Sequence, residues 1–164
     1  MQIDELAEFV VRAKIAAYAG DNAEVKAERP KFKELEYEEG PWYYRDSYTG
    51  FFCAPGQEIV RYEGIPVWHM CYSGGMRENF REDAKFARET FNFLKQALKK
   101  VSKDKPYRGP ELLEEDDWKY VSEVRGDITE FSGTEKIFFK DEEVFRQDYI
   151  GGIILHKNSD EQTQ

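Results

Sequence analysis

Apolar side chains recur along this chain with two periods, one helical and one alternating. Leu6, Val10, Ala13 and Ala17 fall at helical spacing, flanked by Ile3 and Phe9, and predict an amphipathic helix over 3–19 that Gly20 stops. A second stripe, Phe80, Ala84, Ala87, Phe91, Leu94, Leu98 and Val101, predicts a helix over about 78–101. Acids (Glu78, Glu82, Asp83) open it and lysines (Lys95, Lys99, Lys100, Lys103) crowd its end, the order that the helix dipole favours. So regular a stripe also suits a coiled-coil seam, but a helix lying on a sheet is the simpler account. Aromatic and β-branched runs predict strands at 42–49, 57–63 and 66–73, and again at 117–125, 135–140 and 143–150. Glu63-Gly64 and Lys140-Asp141-Glu142 mark hairpins within each set. Each set is preceded by a loop that passes through an Arg-Pro or Arg-Gly-Pro segment (Arg29-Pro30; Arg108-Gly109-Pro110) and an acidic run.

The two halves therefore say much the same thing. WYYRDSYTG at 42–50 recurs as WKYVSEVRG at 118–126, and the segment at 56–76 recurs at 133–153, offset by 76 and then 77 residues. Identical residues occupy Trp42/Trp118, Tyr44/Tyr120, Gly50/Gly126, Gly56/Gly133, Glu58/Glu135, Val67/Val144, Tyr72/Tyr149, Gly74/Gly151 and Gly75/Gly152. Average composition predicts about two such matches. A two-copy period this long is not a solenoid, which needs shorter and more numerous units. The expected fold is α+β: one domain over 1–155, made of two helix-plus-three-strand repeats, about 1–76 and 78–154. These share one antiparallel sheet about a pseudo-twofold axis, with both helices on one face. The polar residues 156–164 read as a flexible tail.

Charge narrows the classes of partner. The chain has 33 acids against 24 Lys and Arg, a net charge of −9. An acidic surface repels phosphate backbones, so direct nucleic-acid binding is not expected. The N-terminus is acidic where a signal peptide is basic, and no apolar run reaches transmembrane length, so neither export nor membrane association is expected. The two cysteines, Cys53 and Cys71, make no disulfide framework, and the expected location is the cytoplasm.

Strand alternation puts Trp42, Tyr44, Asp46 and Tyr48 on one face, and Trp68, Met70 and Tyr72 on one face of another strand. Tyr44, Asp46, Tyr48, Trp68, Met70 and Tyr72 together suit an apolar or cationic ligand, whose orientation the acid would fix. The same residues also suit a plain core under the helices. Arg29 and Arg108, in corresponding loops, could converge as an anion clamp, or each could pair with its own acidic run, Glu34 to Glu39 or Glu111 to Asp117. His69 shares a strand face with Cys71, and with Cys53 could offer three zinc ligands, but the spacing fits no zinc motif; neither metal nor cofactor is expected. Glu58 and Glu135 occupy equivalent positions shortly after glycines and read as solvated strand ends rather than a catalytic pair. The Gly-Gly pairs at 74–75 and 151–152 read as turns or bulges.

Three motifs carry a resemblance: Tyr44-x-Asp46-x-Tyr48-x-Gly50, Gly64-x-Pro66-x-Trp68-x-Met70-x-Tyr72 with Gly74 after it, and Arg108-Gly109-Pro110. Over about 5–155 the chain resembles a family of uncharacterised prokaryotic proteins. These occur alone or as the C-terminal domain behind helix-turn-helix regulators of the Xre type. The resemblance implies a fold and a regulatory context, not a reaction. With no residues ahead of the first helix for a DNA-binding head, the chain is expected to be the sensor without the reader. More distantly, duplicated helix-plus-strand units resemble the gyrase-inhibitor-like effector-binding fold, in which a ligand sits between repeats. The expected function is a non-enzymatic, sensor-like ligand-binding domain. The alternative is an interaction module that binds a protein regulator through its acidic surface or sheet edge, and an enzyme of unknown reaction comes third. The sequence leaves the oligomeric state open.

Overall fold

The computed structural model describes residues 2–19 and 24–157. Gly20, the expected helix stop, and 158–164, most of the expected tail, lie outside the described residues. The chain forms α1 (Ile3–Ala19), β1 (Glu24–Val25), β2 (Lys33–Glu39), β3 (Trp42–Tyr48), β4 (Gly56–Tyr62) and β5 (Ile65–Met76). A short 3-10 turn over Glu78–Phe80 leads to α2 (Ala84–Leu98), followed by β6 (Leu112–Glu115), β7 (Trp118–Asp127), β8 (Glu130–Phe139) and β9 (Glu142–Ile153). All described strands pair antiparallel in one sheet ordered β1-β2-β3-β4-β5-β9-β8-β7-β6. The fold is α+β, with both helices on the same sheet face. Among the described residues no helix is long and apolar enough to cross a membrane.

Three expectations change. The acidic runs are strands, not loops: β2 alternates, so Leu35 and Tyr37 turn toward α1 while Glu34 and Glu36 on the other face ion-pair with Arg45. Acids on one face hid a period-2 pattern that the other face carries. The second helix begins later than expected, because the Asp83 carboxylate accepts the backbone N–H groups of Lys85 and Phe86 at 3.0 and 2.9 Å and caps it there. The Gly-Gly pairs lie inside β5 and β9 rather than in turns.

Each helix docks through a ring stacked on a tryptophan of the sheet. Phe9 lies 5.1 Å from Trp42 and Phe86 lies 5.7 Å from Trp118, centroid to centroid. Each tryptophan rests in turn on a ring of the next strand, Tyr62 at 4.7 Å and Phe139 at 4.6 Å. Two core clusters result. One gathers α1 with Tyr44, Val60, Trp68, Met70 and Tyr72; the other gathers α2 with Met76, Tyr120, Ile137 and Phe145. The halves join where β5 meets β9, with Tyr72 opposite Tyr149, Trp68 opposite Ile153 and Met76 opposite Phe145.

The hairpins β4–β5 and β8–β9 turn through positive-φ residues, Glu63-Gly64 and Lys140-Asp141, as type I′ geometry requires. At Gly74 and Gly75 the backbone is also left-handed (φ 145° and 154°), and here the chain outside β5 crosses close by. A Cβ on Gly75 would lie 2.6 Å from Cys53 Cα, and Met76 N donates to Phe52 O at 2.7 Å. Gly75→Ala is therefore expected to destabilise by more than about 2 kcal/mol in chemical denaturation. Gly64→Ala, where nothing lies within 4 Å of a built Cβ, is expected to show only the left-handed cost of about 1–2 kcal/mol.

Candidate functional site

The inward faces of the strands are mainly apolar but carry two short transverse polar runs, offset in register and joined into one row by ion pairing. Register places Asp46, Glu58 and Met70 side by side across β3, β4 and β5, and Ser122, Glu135 and Gln147 across β7, β8 and β9. Asp46, Glu58, Glu135 and Gln147 are all buried. Desolvating this many charges costs several kcal/mol per ion unless each meets an opposite charge. Two cations enter from outside the sheet. Lys14, on α1 and 1% exposed, places Nζ 2.5 Å from Glu58 Oε2 and donates to Tyr107 O at 2.6 Å. Arg108, from the α2–β6 loop and 3% exposed, donates to Glu135 Oε1 from Nε and Nη2 at 3.0 and 2.6 Å. Its Nη1 lies 3.6 Å from Glu58 Oε1, Nη2 reaches Gln147 Oε1 at 3.3 Å, and the guanidinium lies over the Tyr72 ring. Tyr120 donates to the other Glu135 oxygen at 2.7 Å. The row thus becomes a chain, Lys14–Glu58–Arg108–Glu135–Tyr120, that links α1, the α2–β6 loop and both halves of the sheet.

Burial sets the protonation of this row. It pushes Lys14 below the ordinary lysine range, with Glu58 opposing. It pushes Tyr120 well up, reinforced by Glu135, and also raises Tyr149. Asp46 accepts a hydrogen bond from Tyr72 OH at 2.7 Å. Burial, and secondly the Glu58 charge, nevertheless push its carboxyl up to about 7, against the pull of Tyr72, Lys14 and Arg108.

Beside the row opens a cavity of about 480 Å³ between the sheet and α2. Asp46, Tyr72, Arg108 and Gln147 form its polar floor. Tyr48, Phe51, Phe91, Leu94, Leu98 and Phe145 make an apolar wall. Exposed Lys33, Arg88 and Lys95 stand at its edge. The segment at 50–54 closes one side because the glycine pair in β5 lets its backbone approach, with Ala54 N donating to Gly74 O at 3.0 Å.

The six residues of the sequence-predicted face divide into two groups. Asp46, Tyr48 and Tyr72 line the cavity. Tyr44, Trp68 and Met70 are fully buried against α1, with Trp68 Nε1 donating to Ile128 O at 3.1 Å. Arg29 and Arg108 do not form a clamp. Arg29 is exposed over Phe32 and reaches the Gln57 amide, while Arg108 meets Glu58, and adjacent strand residues point to opposite sheet faces. Nor does either pair with its own acidic run: Arg45 takes Glu34 and Lys105 takes Glu111.

Glu58 and Glu135 are not solvated strand ends; both have zero exposure, because the row lies beneath the helices. Their recurrence at equivalent positions was the available signal. Lys14, also missed, lies four positions after Val10 and so beside the apolar stripe. Gln147 and the α2 wall had no local signal. On the opposite sheet face, His69 Nε2 lies 3.7 Å from Cys71 Sγ, and both cysteines are exposed free thiols. Among the described residues no group of three or more His, Cys, Asp or Glu is arranged to hold a metal ion.

Residues 46–154 match a protein family described as a domain of unknown function, DUF5680. The match starts at Asp46 and takes in Arg108, Glu135 and Gln147. No curated protein and no solved structure matches the chain.

Two outcomes follow from the row. A carboxyl raised from 3.8 to about 7 by folding makes the native state bind the extra proton between those values. The stability it contributes is full below pH 4 and is lost as pH rises through 7, at most about 4 kcal/mol. Urea titrations at stepped pH are expected to show this slope as the difference between the native chain and Asp46→Asn, which lacks the titrating group. Lys14→Met leaves Glu58 facing Arg108 alone and is expected to cost about 3–5 kcal/mol by the same measurement.

Proposed function

The chain belongs to the DUF5680 family, and from the geometry of the cavity we propose that it is a small-molecule-binding, sensor-like module rather than an enzyme. The observation that carries this reading is the about 480 Å³ cavity with an apolar wall and a floor of hydrogen-bonded, buried polar groups. Ligand sites have this size and this composition, with a few fixed polar groups amid apolar contact area. No His, Cys, Ser or Thr lines the cavity among the described residues, which favours binding over nucleophilic turnover. An edge-docking protein partner finds less support. The described edge strands are two and four residues long, and the longer carries Glu114 and Glu115, features that discourage strand addition. A sensor role agrees with the resemblance to domains found behind Xre-type regulators.

We also infer that the two halves are copies related by a pseudo-twofold axis between Tyr72 and Tyr149. The pairings Trp68 with Ile153 and Met76 with Phe145 exchange under that operation. Asp46–Glu58 corresponds to Ser122–Glu135, and the register shift at Val60/Arg61 to that at Ile137/Phe138. Tyr72 meets Asp46 as Tyr149 meets Ser122, at 2.7 and 3.0 Å. On this reading the copies have diverged in the row, and only the first kept a titrating carboxyl beside the cavity.

The uncharged dye N-phenyl-1-naphthylamine is expected to brighten on binding the native protein. Ala54→Trp, which places a large ring in the cavity from a loop position, is expected to abolish the response while leaving thermal unfolding in place. No binding by the native chain, or equal binding by the folded variant, would sink the reading.

A further inference from the structure

We propose that the cavity takes an organic anion, its apolar body between the sheet and α2 and its acidic group held at the mouth by Lys33, Arg88 and Lys95. This rests on the binding reading above and names the ligand's chemical class. The argument is one of charge balance. Inside the row the fixed charges cancel, since Lys14 and Arg108 face Glu58 and Glu135. What remains toward the cavity is Asp46, held by Tyr72, against three cations at the mouth. Even with Asp46 ionised, the surplus is positive.

The surplus stands out because the chain as a whole has 33 acids to 24 cations. Some exposed cations elsewhere find carboxylates, such as Arg12 with Glu39 and Lys103 with Glu8, while others, such as Lys99 and Arg125, do not; only the cavity's lining gathers three exposed cations around a single acid, Asp46, among the described residues. Lys33, Arg88 and Lys95 make no ion pair among the described residues; Arg88 lies over the Phe51 ring of the cavity wall instead. They come from both sides of the opening, β2 and α2. An acid at the mouth would satisfy three charges that the fold leaves to solvent. A cation would have to pass them to reach a single carboxyl.

A matched pair of dyes isolates this effect. 1-Anilinonaphthalene-8-sulfonate carries the same ring system as N-phenyl-1-naphthylamine plus one sulfonate. The native protein is expected to bind the sulfonate about tenfold more tightly than the neutral dye, the size three solvent-exposed ion contacts can supply. The triple variant Lys33→Gln, Arg88→Gln, Lys95→Gln changes only exposed side chains. It is expected to bring the two dyes to equal affinity without weakening the neutral one. Equal affinity in the native protein overturns the anion assignment but leaves the cavity reading standing. Tighter binding of the cationic dye thioflavin T than of the sulfonate overturns it in favour of a cation. A tenfold preference that survives in the triple variant overturns the role of the mouth. Absence of binding by the neutral dye removes the underlying reading instead.

Discussion

Arg108 sits where the two halves of the sheet and the α2–β6 loop meet, and its guanidinium is shared between Glu135 and Glu58. Those two carboxylates lie on strands separated by β5 and β9 in the sheet order. A buried carboxylate without its cation is worth several kcal/mol of instability, so neither half can close over its own acid alone. Lys14 extends the same requirement to α1. The interaction does less for net stability than a packed apolar row of equal volume would. What it constrains is arrangement: helix, loop and both half-sheets satisfy their charges together in one register.

The cavity follows from that constraint. A row of charged side chains across a sheet cannot be capped by aliphatic groups from α2 without stranding polar atoms. The helix therefore meets the sheet at the tryptophans, Trp42 through α1 and Trp118 through α2, and leaves space above Asp46 and Gln147. Asp46 occupies the end of the row where burial is complete and the Glu58 charge is close, and its carboxyl is driven toward neutrality. The same placement that makes it costly to ionise makes it responsive to whatever occupies the space beside it.

Much of the architecture was legible because period and repetition agree. The apolar stripes of both helices, the six strands β3–β5 and β7–β9 and the two hairpins carry local signals, and each appears twice. What was hidden is instructive. In β2 the acids on one face masked Leu35 and Tyr37 on the other, so a paired strand read as a solvated loop. Glu58 and Glu135 were visible as equivalent residues, but whether a strand glutamate faces water or core depends on what the helices cover, which no local pattern encodes. The aromatic face divides for a related reason. Alternation identifies Tyr44, Asp46 and Tyr48 as co-facial, while the helix position decides that Tyr44 packs under α1 and that Asp46, equally buried, borders the cavity. Phe91, Leu94 and Leu98 lay in a helical stripe indistinguishable from ordinary core.

The cavity's outer wall, the segment at 50–54, is fastened to β5 through main-chain groups: Ala54 N to Gly74 O, and Met76 N to Phe52 O. Such bonds are indifferent to side-chain identity. Phe51 and Ala54 can therefore change while the wall stays in place, provided the two glycines beneath it do not. The floor, by contrast, is locked by mutual charge satisfaction. The fold separates a part that must be inherited unchanged from a part that can be rewritten residue by residue, an arrangement under which one scaffold can carry many differently shaped cavities.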